Sequence, residues 1–173
     1  MKTARLNLRR LSPNDAARIA MLGSEWDVAS MTGRIPFPYS EDAALHWVTD
    51  LAEGEVVFGI EQGGYIIGIC GYSLKGDGSA ELGYWLGKPY WGEGFATEAA
   101  VALMTHGFTK GGVKRFTCCH FVDNPGSARV VTKLGFRSIG PCTGWSEARQ
   151  QELPTFQYER RRPWITTLKA LAS

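Results

Sequence analysis

The 173-residue chain is poor in cysteine, and none of its four cysteines stands in a C-x-x-C pair. Structural zinc sites and dithiol redox centres are built from such pairs, so no metal is expected and the thiols read as reduced. Cys118 and Cys119, adjacent on one segment, would point to opposite faces of a strand. Long apolar runs are missing too: none approaches the ~18 residues of a membrane span, and no basic-then-apolar leader opens the chain. The expectation is a cytoplasmic protein without a membrane partner. Charge of one sign is also scarce. A formal net charge of +2 is too weak for a dedicated nucleic-acid binder, and Arg160-Arg161-Arg162 reads as a solvated strand end. With no internal repeat, low-complexity tract or linker, residues 1–173 are expected to form one domain.

What the chain does have is a hydrophobic period that switches repeatedly. "ARLNLRRLSPNDAARIAML" alternates at Leu6 and Leu8, then takes helical spacing through Ala16, Ile19 and Leu22, with Ser12, Pro13 and Asp15 as start signals. Ser40 caps a second expected helix whose apolar face includes Ala44, Trp47, Val48 and Leu51. "EVVFGIE", "YIIGICGYSL" and "AELGYWLG" read as three strands joined by the turns "QGG" and "KGDGS", short links that favour an antiparallel meander. A helix from about Thr97 to Phe108, the strand "VKRFTCCHF", the helix "NPGSARVVTKL" ended by Gly135, and strands around "FRSIGPC" and "TFQYERR" follow.

Between the fourth strand and the next helix lies "WGEGFAT". A helix start leaves backbone N–H groups without partners and carries the positive end of the helix dipole, so it can hold a phosphate without a charged side chain. Gly92 and Gly94 clear side chains from that place. The same glycines also suit a tight strand-to-helix turn that binds nothing. Two other phosphate motifs fit less well. The P-loop spelling is absent, and the dinucleotide fingerprint is half present, with Thr97 where its third glycine belongs and antiparallel strands before it. A ligand with a peptide-like arm beside "ELGYWLG" and a diphosphate at the helix start would match both features, and coenzyme A is such a molecule.

Taken in order, "ARLNLRRLSPNDA", "IPFPYSEDA", "AELGYWLGKPYWGEGFATEA", "FVDNPGSARVVTKLGF" and "ELPTFQYERRRPW" resemble the GNAT superfamily of N-acetyltransferases, in particular its RimJ/RimL-like branch. The resemblance implies an α/β (α+β) fold: a mixed, mostly antiparallel twisted sheet of about seven strands flanked by about four helices, splayed between strands 4 and 5. It implies acetyl-CoA as cosubstrate, no metal, and direct transfer to a primary amine in a ternary complex. Trp85, Leu86 and Gly87 would run beside the pantetheine arm, with backbone amides able to stabilise developing negative charge on the thioester oxygen. Gly92, Gly94, Phe95, Ala96 and Thr97 would cradle the diphosphate. Trp91 departs from the general pattern, which has Arg or Gln there, but matches the branch's "YWG" form. A homodimer is allowed.

For the chemistry, the position that carries a tyrosine acid in many superfamily members holds Val131. The resemblance offers Ser127 instead as the acid, with Asn124 orienting cofactor or strand end. Both residues also suit ordinary helix-start capping. Glu81, acting through water, is the carboxylate candidate for the base, and His120 has a suitable unperturbed pKa. Either can equally be structural. His46 and His106 receive no role. Cys119 could face the cleft, but no local signature marks a nucleophile and it is read as packing. The acceptor is expected to meet the first two helices, "TGRIPFPYS" and a loop from Cys142 to Pro154, with Trp26, Phe37, Tyr39 and Trp145 either lining that mouth or packed in the core. It is a protein amino terminus or a small-molecule amine such as an antibiotic, polyamine or amino acid. A CoA-binding sensor without turnover is the reading from a different class.

Overall fold

The computed structural model describes residues 1–162, so Pro163 and Trp164 of the last matching block lie outside the described residues. The strands are β1 (Asn7–Arg9), β2 (Glu55–Gln62), β3 (Tyr65–Leu74), β4 (Ser79–Leu86), β5 (Arg115–Phe121), β6 (Arg137–Ser146) and β7 (Gln151–Arg161). The helices are α1 (Ala16–Gly23), α2 (Trp26–Ala29), α3 (Glu41–Thr49), α4 (Phe95–Thr109) and α5 (Pro125–Lys133). All seven strands join one sheet in the order β1-β2-β3-β4-β5-β7-β6. Every neighbouring pair is antiparallel except β4 and β5, so the sheet is mixed as expected. Among the described residues helices number five, against about four expected, because the single turn α2 follows α1 after two residues.

Alternation along β4 divides the molecule into two cores. Ala80, Leu82 and Leu86 pack with Leu103, Met104, Phe116 and Val131 beneath α4 and α5. Trp85 packs on the other face with Ile19, Ala44, Ile66 and Ile69 beneath α1 and α3. A register shift between Ile60 and Glu61 of β2 leaves Ile67 of β3 as the extra residue and reverses the alternation there, so Ile66 shares a core with Ile69 and Ile67 with Cys70.

Local signals act as the residue types dictate. Gly63 and Gly64 turn β2 into β3 at φ of +58° and +87°, and Gly135 ends α5 at +71° with its N–H donating to Thr132 O (2.9 Å). Ser40 Oγ accepts from the Ala43 N–H (3.2 Å) and starts α3, which stops at Thr49 and leaves Leu51 outside the helix. Cys142 to Pro154 is a hairpin rather than a loop: Cys142 pairs with Thr155 and Trp145 with Glu152, leaving only residues 147–150 as the link. Pro141 is tolerated because β6 lies at the sheet edge. Arg160 is not a solvated strand end. Its half-buried guanidinium donates to the Leu134 carbonyl at the end of α5, whereas Arg161 and Arg162 are exposed.

Entry into α1 is fixed by a buried carboxylate. Asp15 accepts two hydrogen bonds from the Arg9 guanidinium (2.8 Å each) and one from the Ser12 N–H (2.8 Å). The Arg9 hydrogen bonds hold its pKa down at about 2. A depressed folded-state pKa adds stability above the unfolded value and loses it as pH falls through the folded one. Asp15→Asn is therefore expected to cost about 2 kcal/mol at neutral pH. In urea unfolding across pH, the gap to the parent should close progressively between about pH 5 and pH 2.

Candidate active site

The parallel pairing of β4 with β5 covers only Ser79↔Arg115, Ala80↔Phe116 and Glu81↔Thr117. Beyond Glu81 the two strands part, β4 staying with β3 and β5 with β7, so the sheet opens from Leu82 onward. Main-chain groups facing that gap have no partner strand, which suits an extended amide-bearing chain. At the far end of β4, the Trp91 indole donates to Leu86 O (2.8 Å) and ties the following loop to the strand. This is what the unexpected tryptophan does. Gly87 is buried, and a Cβ there would lie 2.6 Å from Leu22 Cδ2, so its missing side chain admits α1.

The loop closes on α4. Gly92 and Gly94 take φ of +85° and +81°, and a Cβ on Gly92 would meet nothing within 4 Å. Residues 91–94 are exposed. Phe95, Ala96 and Thr97 form the first turn of α4, which begins two residues earlier than the sequence pattern implies because left-handed Gly94 is its N-cap. Their three N–H groups have no intrahelical acceptor. An open, glycine-cleared helix start beside a parted sheet fits the diphosphate and arm of an acyl-CoA. Arg5, which no sequence signal singles out, braces the loop. It donates to Glu93 O (2.9 Å) and to the Glu98 carboxylate (2.7 Å), and its guanidinium sits 4.5 Å from the Phe95 ring centre.

The candidate chemical groups divide between the two faces of the sheet. Glu81 shares the face of Trp85 and forms an exposed ion pair with Lys75 (3.0 Å) where the strands begin to part. Ser127, in the first turn of α5, reaches the opposite face, where its Oγ lies 2.9 Å from the Tyr84 hydroxyl. Burial pushes the Tyr84 phenol well above its ordinary pKa, with the Ser127 hydrogen bond opposing the shift. Asn124 caps α5: its Oδ1 accepts from the Ser127 N–H (2.9 Å) while its Nδ2 donates to Met31 O (3.4 Å). His120 is buried and stacked on Tyr158, with ring centres 5.3 Å apart. Its Nδ1 faces the Phe121 carbonyl (2.8 Å) and so carries a proton, and its Nε2 lies 3.1 Å from the Tyr158 hydroxyl. In the neutral ring, then, the lone pair on Nε2 already has a donor.

Cys119 is exposed, contrary to the packing expected of it. Partial desolvation and then the Glu81 charge push its thiol pKa up, the reverse of what an activated nucleophile needs. Among the described residues, no group of three His, Cys, Asp or Glu side chains is placed to hold a metal ion. No helix there is long and apolar enough to cross a membrane.

On the mouth side, an open cleft of about 480 Å³ is lined by residues that include Trp26, Asp27, Met31, Asp123, Arg149 and Gln151. Asp27 pairs with Lys88 (2.5 Å) and Asp123 with Arg149 (2.7 Å), and both carboxylates stay more than half exposed. Phe37 packs edge-on against Trp26 (5.0 Å), and Trp145 is exposed, whereas Tyr39 is buried in the α1 and α3 core.

A sheet that parts beside an open helix start defines a class of transferase that takes an extended thioester into its centre. The acetyltransferase (GNAT) domain family matches residues 5–137, and the chain belongs to it. It is an acetyl-CoA-dependent N-acetyltransferase on the RimJ/RimL-like side of that family. Similar proteins include the uncharacterized N-acetyltransferase p20 of Bacillus licheniformis, 27% identical over 90% of this chain and 92% of its own length. The putative ribosomal N-acetyltransferase YdaF of Bacillus subtilis (strain 168) is 30% identical over 78% of this chain and 79% of its own. The ribosomal-protein-serine acetyltransferase of Escherichia coli (strain K12) is 40% identical over a shorter stretch, 34% of this chain and 32% of its own. Solved structures that share the fold include two with a bound cofactor. One is the ribosomal L7/L12 α-N-protein acetyltransferase RimL in complex with coenzyme A (TM-score 0.80, 20% identity, 92% and 95% of the two chains). The other is the microcin C7 self-immunity acetyltransferase MccE in complex with acetyl-CoA and AMP (TM-score 0.81, 18%, 92% and 94%).

Proposed function

We propose that the whole chain is one cytoplasmic acetyltransferase domain that acetylates the α-amino group of a protein or peptide within a ternary complex. The observation that carries this reading is the gap between β4 and β5, with a glycine-cleared helix start on one side and a carboxylate-bearing cleft on the other. The ribosomal-protein acetyltransferases among the relatives favour a protein amino terminus over a small amine. Asp27 and Asp123 are ion-paired with Lys88 and Arg149 but more than half exposed, so each keeps carboxylate oxygen open at the mouth that can accept a hydrogen bond from an ammonium group.

Acetyl-CoA, when bound, supplies a thioester whose carbonyl carbon an amine can attack. The N–H groups of Gly94 to Thr97 hold its diphosphate, and the unpaired main chain of β4 aligns its arm, so that positioning accounts for much of the acceleration. Glu81 takes the acceptor's proton through a water, from the face on which it lies. Ser127 Oγ, on the opposite face, addresses the departing sulfur.

The test is thiol release from acetyl-CoA with peptides of varied amino-terminal residue and with an amine library, product mass being read alongside. Peptide-dependent release with a single acetyl on the terminus is expected. Turnover of small amines but no peptide would overturn the acceptor assignment, and saturable binding with no turnover of either would make the protein a sensor. Ser127→Ala is expected to lower kcat by about tenfold or more while KM for acetyl-CoA changes less than about twofold, the pattern of a group acting in the transition state. An unchanged kcat in steady-state kinetics would remove Ser127 from the reaction.

A further inference from the structure

The hydroxyls of Tyr84 and Ser127 are 2.9 Å apart, although 43 residues separate them in sequence. Tyr84 lies on β4 opposite Cys70, three residues past the last contact with β5, and its ring packs at the edge of the α4 and α5 core. This is the only side-chain hydrogen bond that either hydroxyl makes among the described residues. Two O–H groups sharing one bond leave one proton over. A phenol is a stronger acid than an alcohol and is therefore the better donor, so the spare proton belongs to Ser127.

We propose that Tyr84 is a positioning residue: its phenol donates to Ser127 Oγ and turns the serine's own O–H toward the sulfur, which that O–H then holds by a hydrogen bond without giving up its proton. The inference rests on the acetyltransferase reading and changes what Ser127 does within it. In the transfer, the acceptor nitrogen forms its bond to the acetyl carbon while the carbon–sulfur bond breaks and its electron pair stays on sulfur. The acceptor's proton leaves through water toward Glu81. Ser127 and Tyr84 finish the step as they began it, both protonated.

Burial favours this assignment over proton donation. Had Ser127 passed its proton to sulfur, Tyr84 would have to refill it, and a desolvated phenol, its pKa raised, resists becoming a phenolate. A thiolate is the weaker base by a wide margin, since an ordinary thiol has a pKa of about 8.5. A hydrogen-bond donor aimed at the sulfur gains strength as negative charge accumulates there, with no such cost.

The proposal is tested on the wild type, Tyr84→Phe and Ser127→Ala with coenzyme A itself as the probe, its thiol titrated in the bound state by ultraviolet thiolate absorbance. Bound to the wild type, the thiol should titrate about one unit or more below free coenzyme A. In Tyr84→Phe, which keeps the ring and loses only the hydroxyl, and in Ser127→Ala it should return toward the free value. Coenzyme A affinity, measured at a pH where the thiol is protonated, should stay within about threefold, and kcat should fall about tenfold in each variant, the double variant being no slower than the singles. Identical thiol titrations in wild type and Tyr84→Phe, with saturable binding in both, would overturn the positioning role and leave the acetyltransferase reading standing. A wild-type protein that fails to bind coenzyme A would overturn that reading and this inference with it.

Discussion

Replacing Gly94 by aspartate is expected to weaken coenzyme A binding about a hundredfold. The residue caps α4 at φ +81° beside three N–H groups that have no acceptor in the helix. A carboxylate there would share the turn with a bound phosphate. At an effective dielectric constant near 20, two unit charges about 6 Å apart repel by roughly 3 kcal/mol. Gly94→Asn separates charge from backbone strain, because asparagine accepts the left-handed conformation and is nearly the same size as aspartate. It should cost less than about tenfold. The difference between the two variants should narrow as salt is raised. Calorimetric titration of folded protein provides the check, and equal affinities for Asp and Asn would remove the diphosphate from this turn.

The second large effect is expected at Gly68, which pairs with Leu86 across β3 and β4. A Cβ at this position would sit 2.2 Å from Trp85 O and 2.8 Å from Leu86 Cα, both main-chain atoms that no rotamer change can move. Gly68→Ala therefore has to push β4 away where it borders the gap. A cost of about 3 kcal/mol is expected from such overpacking, equivalent to a fall in Tm of roughly 10 °C for a chain of this length. Coenzyme A affinity should fall with it, because the displaced segment is the one that would align the pantetheine arm. Thermal unfolding within about 2 °C of the parent would show that β4 yields without cost.

Much of this was legible in the chain. Period-two segments with glycine turns gave the β2-β3-β4 meander, and Gly135 marked the end of α5. Other residues misled for identifiable reasons. Cys142 to Pro154 reads as a loop in the sequence, but Cys142 to Ser146 continue the edge strand β6 and pair with Gln151 to Thr155 of β7, so only residues 147–150 form a link. Arg160 lies in a run of like charge, yet Leu134 O supplies it with an acceptor that no local pattern could announce. For Cys119 the sequence leaves both the cleft and packing open and favours packing for want of a nucleophile signature, whereas the residue is exposed on the strand face where the sheet opens.

By itself the sequence determined most of the elements, the glycine-cleared helix start and the family, since each of these is written in residues close together along the chain. The tertiary structure alone decided which side chains meet. It brought Tyr84 to Ser127, set Glu81 on the other face of the opening, and turned both ring nitrogens of His120 toward Phe121 and Tyr158. The physical reason is range: backbone conformation answers to neighbours a few residues away, whereas a hydrogen bond between side chains 43 residues apart depends on where two separate elements are packed.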